Sequence, residues 1–331
     1  MAGILDMLSS TFDSDFASRT ARAAGVEPSL VTKGIGAIGP VVLGALAQRT
    51  ATPEGAQAIF KALPQSSGEG WLSGITDLLS GGGAAGRQAV GGGSIFGAGT
   101  NAIAATISEK LGFNVRPLLN IAAPLVLGLL AKAVKSQNLN ASGLAAAVRG
   151  ESDAFLKNPQ NKEAASLVHS ALAASDKANA LREMFDESEW LKVRSGPLQA
   201  LYHVATAAMS GPVGLVKEFT AATDAVSEAT QTAGPESLVG AAFGDGLAQD
   251  QLTQLAKDRP ESRVVLDGLH ESIALIARKS PADAQAYRDV VLNAAQRAAE
   301  ATKEGGFLGF GGTKVSEAEQ RALNDIRNAL S

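Results

Sequence analysis

Two similar apolar nonapeptides constrain the fold of this chain more than any other feature. GPVVLGALA occupies residues 39–47, and APLVLGLLA occupies residues 123–131, 84 positions further along. The longest apolar run, residues 117–131, has only 15 residues and contains Asn120, whereas a membrane span needs about 20 apolar residues. We therefore expect two buried helices and no membrane span.

Each nonapeptide belongs to a longer repeated pattern. A glycine is followed by a proline and then by a second proline before V-L-G-x-L-A, at Gly25, Pro28 and Pro40 and again at Gly112, Pro117 and Pro124. Glycine ends helices in the left-handed conformation, and proline is tolerated in a first turn. The second proline is expected to begin or kink a helix. Each copy is therefore predicted to form a helix, a sharp turn, a short helix and a buried helix. The two copies are predicted to pack as an internal pseudo-repeat.

The composition indicates an all-α protein. Ala, Leu and Gly dominate, and only 5% of the residues are aromatic. The absence of cysteine excludes disulfides, thiolate metal sites and cysteine catalysis. The N-terminus lacks the basic region of a signal peptide. We therefore expect a cytoplasmic protein.

The charge is unevenly divided along the chain. Residues 1–150 carry 11 Lys/Arg and 8 Asp/Glu, a net charge of +3, whereas residues 151–331 carry 18 and 25, a net charge of −7. A dedicated nucleic-acid-binding protein is usually more basic than either half. The length suggests two domains, and we predict two helical domains, residues 1–150 and 151–331.

Several local signals divide the chain further. The glycine-rich residues 80–99 are predicted to be a flexible linker between the two copies. In the second half, helices are predicted to begin at Gly196-Pro197 and at Gly211-Pro212. The acidic residues 186–190 are interpreted as a helix N-terminus. Ser316 and Glu319 are predicted to form a capping box.

Candidate catalytic and cofactor sites are weak. Gly97 and Gly99 match part of a phosphate-binding pattern, but no strand precedes them and the Lys-Ser/Thr pair is absent. They are better explained as a linker and a helix start. His169, His203 and His270 are far apart and have no patterned nucleophile or carboxylate nearby. We therefore predict no enzyme activity, no cofactor and no metal site.

DNA association is the alternative hypothesis. Residues 12–35 and 100–122 have the spacing of helix-turn-helix units. The side chains that would reach DNA are Arg19, Arg22, Lys33, Arg116 and Asn120. Binding depends on neutralising several phosphates, and this footprint is small. Nucleic acid is therefore a second-ranked partner.

Protein assembly is the preferred hypothesis. Ala- and Gly-lined helices pack closely, and Phe307, Leu308 and Phe310 are flanked by glycines in an unusual apolar loop. These three residues are candidates for interaction, either in a groove of their own domain or on a neighbouring molecule. We predict a non-enzymatic helical interaction or scaffold protein that self-associates as a homo-oligomer or binds a protein partner.

The first half resembles a known family. The linker glycines, SIFGAGTNAIAATISEKLGFNVRPLLNIAAPLVLGLLAKAV and the earlier AIGPVVLGALA are similar to the YidB-like bacterial domain of unknown function. The resemblance covers residues 1–148. It implies an all-α fold with a homeodomain-like helix arrangement, and it implies no established activity.

Residues 150–331 resemble, more distantly, the TerB-like helical domains associated with tellurite resistance. The similar segments are WLKVRSGPLQALYHVATAAMSGPVGLVKEF and GGFLGFGGTKVSEAEQRALNDIRNAL. That family carries an A-D-G acidic motif and a later Glu, which suit a hard cation. Here Ser210 replaces the Asp, and Lys217 lies near the expected Glu with Glu218 beside it. Metal binding is therefore not carried over.

Overall fold

The protein is all-α, as its composition predicts. The computed structural model describes residues 4, 5, 7, 14–64, 96–208, 212–247, 249–301 and 315–331. These residues form fourteen α-helices and no strand. The helices are α1 (Ser14–Ala24), α2 (Pro28–Arg49), α3 (Pro53–Ala62), α4 (Thr100–Leu111), α5 (Arg116–Ser136), α6 (Ala141–Lys157), α7 (Lys162–Glu183), α8 (Glu187–Ala207), α9 (Pro212–Ala233), α10 (Leu238–Phe243), α11 (Gln249–Asp258), α12 (Ser262–Lys279), α13 (Ala284–Glu300) and α14 (Glu317–Ala329).

The chain divides into two compact units, Met1–Asp176 and Lys177–Ser331. This division falls within α7, whereas the predicted division at residue 150 lies within α6. The difference arises because α6 packs against α2 and α3 and therefore belongs to the first unit. The hydrophobic cluster of the first unit also includes residues from the first half of α7.

The two nonapeptides form the core of unit 1. They lie in α2 and α5, which pack against each other. Helix α1 contacts both α2 and α5, and α4 likewise contacts both. Gly25 and Gly112 adopt φ values of 67° and 79° directly after α1 and α4, which confirms their predicted helix-ending role. These contacts are the ones that an internal pseudo-repeat would make, and the pseudo-symmetry itself stays a prediction.

The prediction of a separate short helix before Pro40 and Pro124 is wrong. Each proline lies inside one continuous helix, of 22 residues in α2 and 21 in α5. A proline within a helix removes the N–H that would bond to the carbonyl four residues earlier, which here belongs to Gly36 and to Asn120. Both residues are exposed, so water can hydrate the two carbonyls. The helices therefore continue through their prolines.

One contact in this core joins two residues that the offset of the nonapeptides would align with each other. Gly34 and Leu118 are 84 residues apart, the same offset as the nonapeptides. A Cβ atom built on Gly34 would lie 2.5 Å from Leu118 Cδ1, so the leucine of one helix occupies space that the glycine of the other leaves open. Contact between equivalent residues is expected where a two-fold axis passes between two copies.

Exchanging these two residues tests whether the leucine fills the space that the glycine leaves open. Gly34→Leu should overpack the contact by about 1–3 kcal/mol, and Leu118→Gly should leave a cavity that costs about 2–5 kcal/mol. If the two residues share one space, the double exchange should cost at least about 1 kcal/mol less than the sum of the single changes. Urea denaturation of the four proteins measures this coupling. Additive costs would contradict a shared space.

Helix α8 is central to unit 2, where it contacts α9, α11, α12, α13 and α14. Asp186 caps it through a capping box with Glu189, which confirms the predicted acidic helix start. The prediction that a helix begins at Gly196-Pro197 is wrong, because Pro197 lies inside α8. The carbonyl that Pro197 leaves without a donor belongs to Val193, which is fully buried. Water therefore cannot take the place of the missing N–H.

Tyr287 of α13 supplies the missing donor. Its hydroxyl donates a 2.8 Å hydrogen bond to Val193 O. Gly196 makes room for this hydroxyl, since a Cβ at that position would collide with Tyr287 Oη. Burial raises the pKa of Tyr287 well above its usual value of 10.0, so the hydroxyl keeps its proton. Gly196, Pro197 and Tyr287 therefore act together, since the glycine admits the hydroxyl that replaces the hydrogen bond lost at the proline.

Removing the Tyr287 hydroxyl should destabilise the protein. Tyr287→Phe leaves a buried carbonyl without a donor and should cost about 1–3 kcal/mol in the free energy of unfolding. The chain's other tyrosine, Tyr202, provides a matched control, since no hydrogen bond from its hydroxyl is found among the described residues. Tyr202→Phe should therefore cost less. In a Pro197→Ala background, where an N–H is restored to α8, the cost of Tyr287→Phe should shrink, and an undiminished cost would contradict this role.

Candidate interaction surface

The predicted DNA-contacting residues lie at the first turns and short helices of unit 1. Arg19 is half-buried on α1 and Arg22 is exposed on the same helix, while Lys33 is exposed on α2. Arg116 is half-buried and Asn120 is exposed, both in the first two turns of α5. Each long helix is exposed at both ends, since Arg49 of α2 and Lys135 of α5 are also exposed.

Three of these cations donate within unit 1. Arg22 Nε lies 3.4 Å from Ser18 O on its own helix, and the other two contact α4. Lys33 Nζ lies 3.4 Å from Leu111 O, at the C-terminal end of α4, where a positive charge also favours the helix dipole. The Arg116 guanidinium donates to Asn101 Oδ1. Both residues thus have a structural role that the sequence did not reveal. DNA contact by these two side chains would compete with these hydrogen bonds.

Gly97 and Gly99 form a single 3-10 turn that leads into α4. Phe96, just before it, is buried. Gly99 packs against Ser175, and a Cβ at this position would collide with the serine. The predicted linker therefore ends in packed structure at residues 96–99, and its residues 80–95 lie outside the described residues. Gly99 is explained by close packing without a phosphate ligand.

The two core helices of unit 1 also pass a length and hydropathy test for membrane spans. Their most apolar windows have mean hydropathies of 1.7 for α2 and 1.8 for α5. In the structure, 67% and 78% of these windows are buried inside the protein. Burial in a helical core accounts for this composition, and the expectation of no membrane span stays a prediction.

Two open grooves lie along neighbouring faces of α7 in unit 1. One, of about 480 Å³, lies beside α4 and is lined by residues that include Glu109, Lys110 and Glu163. The other, of about 450 Å³, lies beside the end of α6 and includes Lys157, Lys162 and His169. Ser166 and Ser170 line both. Their walls are mostly exposed charged and hydroxyl side chains, with a few apolar ones such as Leu156 and Leu167. They lack the convergent buried polar groups of a ligand site.

The three histidines are separated, as the sequence suggested. His169 and His270 are exposed, whereas His203 is buried on α8. Within the described part of the chain, no three His, Asp or Glu side chains are grouped as metal ligands. Of the residues compared with the TerB-like acidic motif, Ser210 lies outside the described residues, Lys217 is exposed and Glu218 is buried.

The directions of the helices in unit 2 place the ends of four helices at one end of the unit. Helix α12 runs antiparallel to α8, because Lys192 pairs with Glu271 and the Lys279 ammonium contacts Glu189. Helix α13 runs parallel to α8, because Tyr287 lies beside Val193, and Val291 lies beside Gly196 one turn further on. The C-terminal ends of α8 and α13 and the N-terminal ends of α9 and α12 therefore lie at one end of the unit, here called the α8 C-terminal end.

The exposed large apolar side chains among the described residues all belong to unit 2. Three lie at the α8 C-terminal end: Val213 and Val216, on the first turns of α9, are 72% and 63% exposed, and Val264 on α12 is 56% exposed. Leu191 and Met184 are exposed at the opposite end, where α8 begins. We name Val213, Val216 and Val264 the valine surface. Exposed apolar groups at one end of a unit mark a candidate interaction site.

The predicted interaction residues Phe307, Leu308 and Phe310 lie outside the described residues. The valine surface was not predicted from the sequence. Val213 and Val216 occupy ordinary positions in a helix that begins at a Gly-Pro pair, and nothing adjacent in the sequence marks them as exposed. The signal that was available is their spacing. Residues three apart lie on one face of a helix, and the next residue on that face, Thr220, is exposed and polar.

The comparisons with known proteins concern the first unit. Residues 6–133 match the family described as a bacterial protein of unknown function (DUF937). The match covers less than half of the chain and confirms the resemblance of the first half to a bacterial domain of unknown function. Neither curated proteins nor solved structures gave a match. The TerB-like resemblance of the second half stays a prediction.

Proposed function

We propose that this protein is a non-enzymatic helical interaction protein that self-associates through the valine surface of unit 2. The observation that carries the proposal is the exposure of three valines at one end of a helical unit. Burying such side chains against a second copy would remove apolar area from water, at about 25 cal/mol for each Å². A cytoplasmic location belongs to the same proposal.

The distribution of apolar surface favours unit 2 over unit 1 as the interface. In unit 1, the large apolar residues of α2 and α5 are buried or partly buried in the core. The described residues of that unit include no exposed large apolar side chain. The grooves beside α7 are lined by Lys, Glu and Ser side chains, which are poor interface cores. An apolar contact with a second copy therefore has its best support at the valine surface.

Val216→Asp in the full chain tests this proposal. The substitution places a carboxylate at the proposed contact, and in the first turns of α9 it suits the helix dipole, so the fold should survive. In a two-fold dimer each copy loses one buried valine, and the dissociation constant should rise about a hundredfold or more. Light scattering over a range of protein concentrations, at low and high salt, measures the change.

Leu191→Asp is the matched control. It also replaces an exposed apolar residue with Asp in the first turns of a helix, but at the opposite end of α8. It should leave the oligomer unchanged. A wild-type protein that is monomeric at every concentration would exclude self-association. Dissociation by Leu191→Asp and not by Val216→Asp would place the interface at the other end of unit 2.

DNA association is the runner-up and has less support, since Lys33 and Arg116 donate within the chain. The same salt series separates the two hypotheses. Binding to double-stranded DNA should weaken steeply as salt rises, whereas hydrophobic self-association should persist. Arg22→Ala, which alters an exposed cation on α1, should weaken the DNA complex and leave the oligomer unchanged.

A further inference from the structure

His203 lies between α8 and the terminal helix α14. Only 5% of the surface of this residue is exposed to solvent. Among the described residues, neither ring nitrogen has a hydrogen-bond partner. The nearest charged atom is Asp325 Oδ2 of α14, 3.7 Å from His203 Nε2 and thus beyond hydrogen-bond distance. Asp325 itself is exposed. A histidine buried without hydrogen bonds is unusual and calls for a physical account.

Helix α14 depends on its packing. It has 13 residues, a length at which an isolated helix is marginal in water. Its apolar face, which includes Leu323 and Ile326, is buried against α8, α12 and α13. Ser316 and Glu319 form the predicted capping box at its start, which is confirmed. Loss of the packing would therefore remove the main support for the helix.

Protonation changes what the His203 ring requires. A neutral ring tolerates burial, but an imidazolium has two N–H donors and a charge to hydrate. Asp325 could accept a hydrogen bond from the Nε2–H group after a small shift, whereas the other N–H donor would remain buried without an acceptor. Burial accordingly lowers the pKa of His203 below its usual value of 6.5, and Asp325 offsets only part of this effect.

The other charged groups near α8 do not remove this cost. The helices packed against α8 carry Glu218 on α9, Asp258 on α11, Asp267 on α12, Glu300 on α13 and Glu319 on α14. Among the charged groups of the described residues, Asp325 is the one that acts on the His203 ring. His203 therefore faces a single compensating charge, on the helix whose docking it would control.

We propose that His203 is an acid-sensitive latch, which keeps α14 docked while its ring is neutral and favours release of α14 when the ring takes up a proton. The direction follows from linkage. In the released state the ring is hydrated and binds a proton at an ordinary pH, whereas the docked state binds it at a lower pH. The docked state of α14 is therefore fully favoured above about pH 6.5 and becomes less favoured as the pH falls below that value. The equilibrium constant for docking falls by up to about tenfold for each pH unit.

A second histidine, His270, also lies near α14. Its Nδ1 is 3.2 Å from Ala329 O, at the C-terminal end of α14, and the residue is exposed. Because His270 lies at the surface, its ring does not face the loss of hydration that a charged His203 ring would face.

Hydrogen exchange of the full chain at pH 7.5 and 5.5 tests the latch. After correction for intrinsic exchange rates, amides of α14 should lose protection at pH 5.5 by about threefold to tenfold relative to amides of α12. His203→Leu, which cannot titrate, should abolish this loss. His169→Gln, which alters an exposed histidine of unit 1, should leave it unchanged.

Asp325→Asn supplies a test that does not alter the core. It removes the one charge that favours the protonated ring in the docked state, so the loss of protection at pH 5.5 should increase while protection at pH 7.5 stays the same. Three results would overturn the proposal: pH-independent protection of α14, an equal loss in His203→Leu, or an equal loss in α12, which would indicate unfolding of the whole unit.

Discussion

A proline inside a helix leaves one carbonyl without its donor, and the central helices of both units of this protein contain one. The consequences depend on where that carbonyl lies. In α2 and α5 it belongs to the exposed residues Gly36 and Asn120, so solvent suffices. In α8 it belongs to the buried Val193, and the fold must supply Tyr287. The glycine before Pro197 then provides the space that the tyrosine hydroxyl occupies. The position of α13 relative to α8 depends on this arrangement.

Much of the fold could be predicted from local sequence signals. Gly25 and Gly112 end helices, Asp186 begins one, and the capping box at Ser316 is present, because each depends on the backbone geometry of a few adjacent residues. The errors at Pro40, Pro124 and Pro197 have a common cause. A helix can continue through a proline when the carbonyl that the proline frees finds another partner. That partner is either water or a residue such as Tyr287, 94 positions away in the chain.

The candidate sites show the same limit. Helical spacing placed Val213 and Val216 on one face, but it could not tell whether a neighbouring helix covers that face. His203 looked like an ordinary helical histidine, and only the packing of α14 against α8 gives it a titratable role. Lys33 and Arg116 looked like free cations. Their hydrogen-bond partners, Leu111 and Asn101 respectively, both lie in α4. Helix α4 begins more than fifty residues after the end of α2, so local sequence could not reveal the Lys33 contact.

The contact between Gly34 and Leu118 has a consequence for how such a chain can change over evolutionary time. In a dimer of identical subunits, a mutation at the symmetry axis enters both sides at once, so the two facing residues always match. Two similar repeat copies within one gene are not subject to this restriction, because each copy can mutate separately. A large residue in one copy can then pack against a small residue in the other. If the predicted pseudo-repeat holds, Gly34 and Leu118 are such an unequal pair. A separated copy of either half of that repeat would then face its own twin with two glycines or with two leucines, and neither pair would fill the space as well.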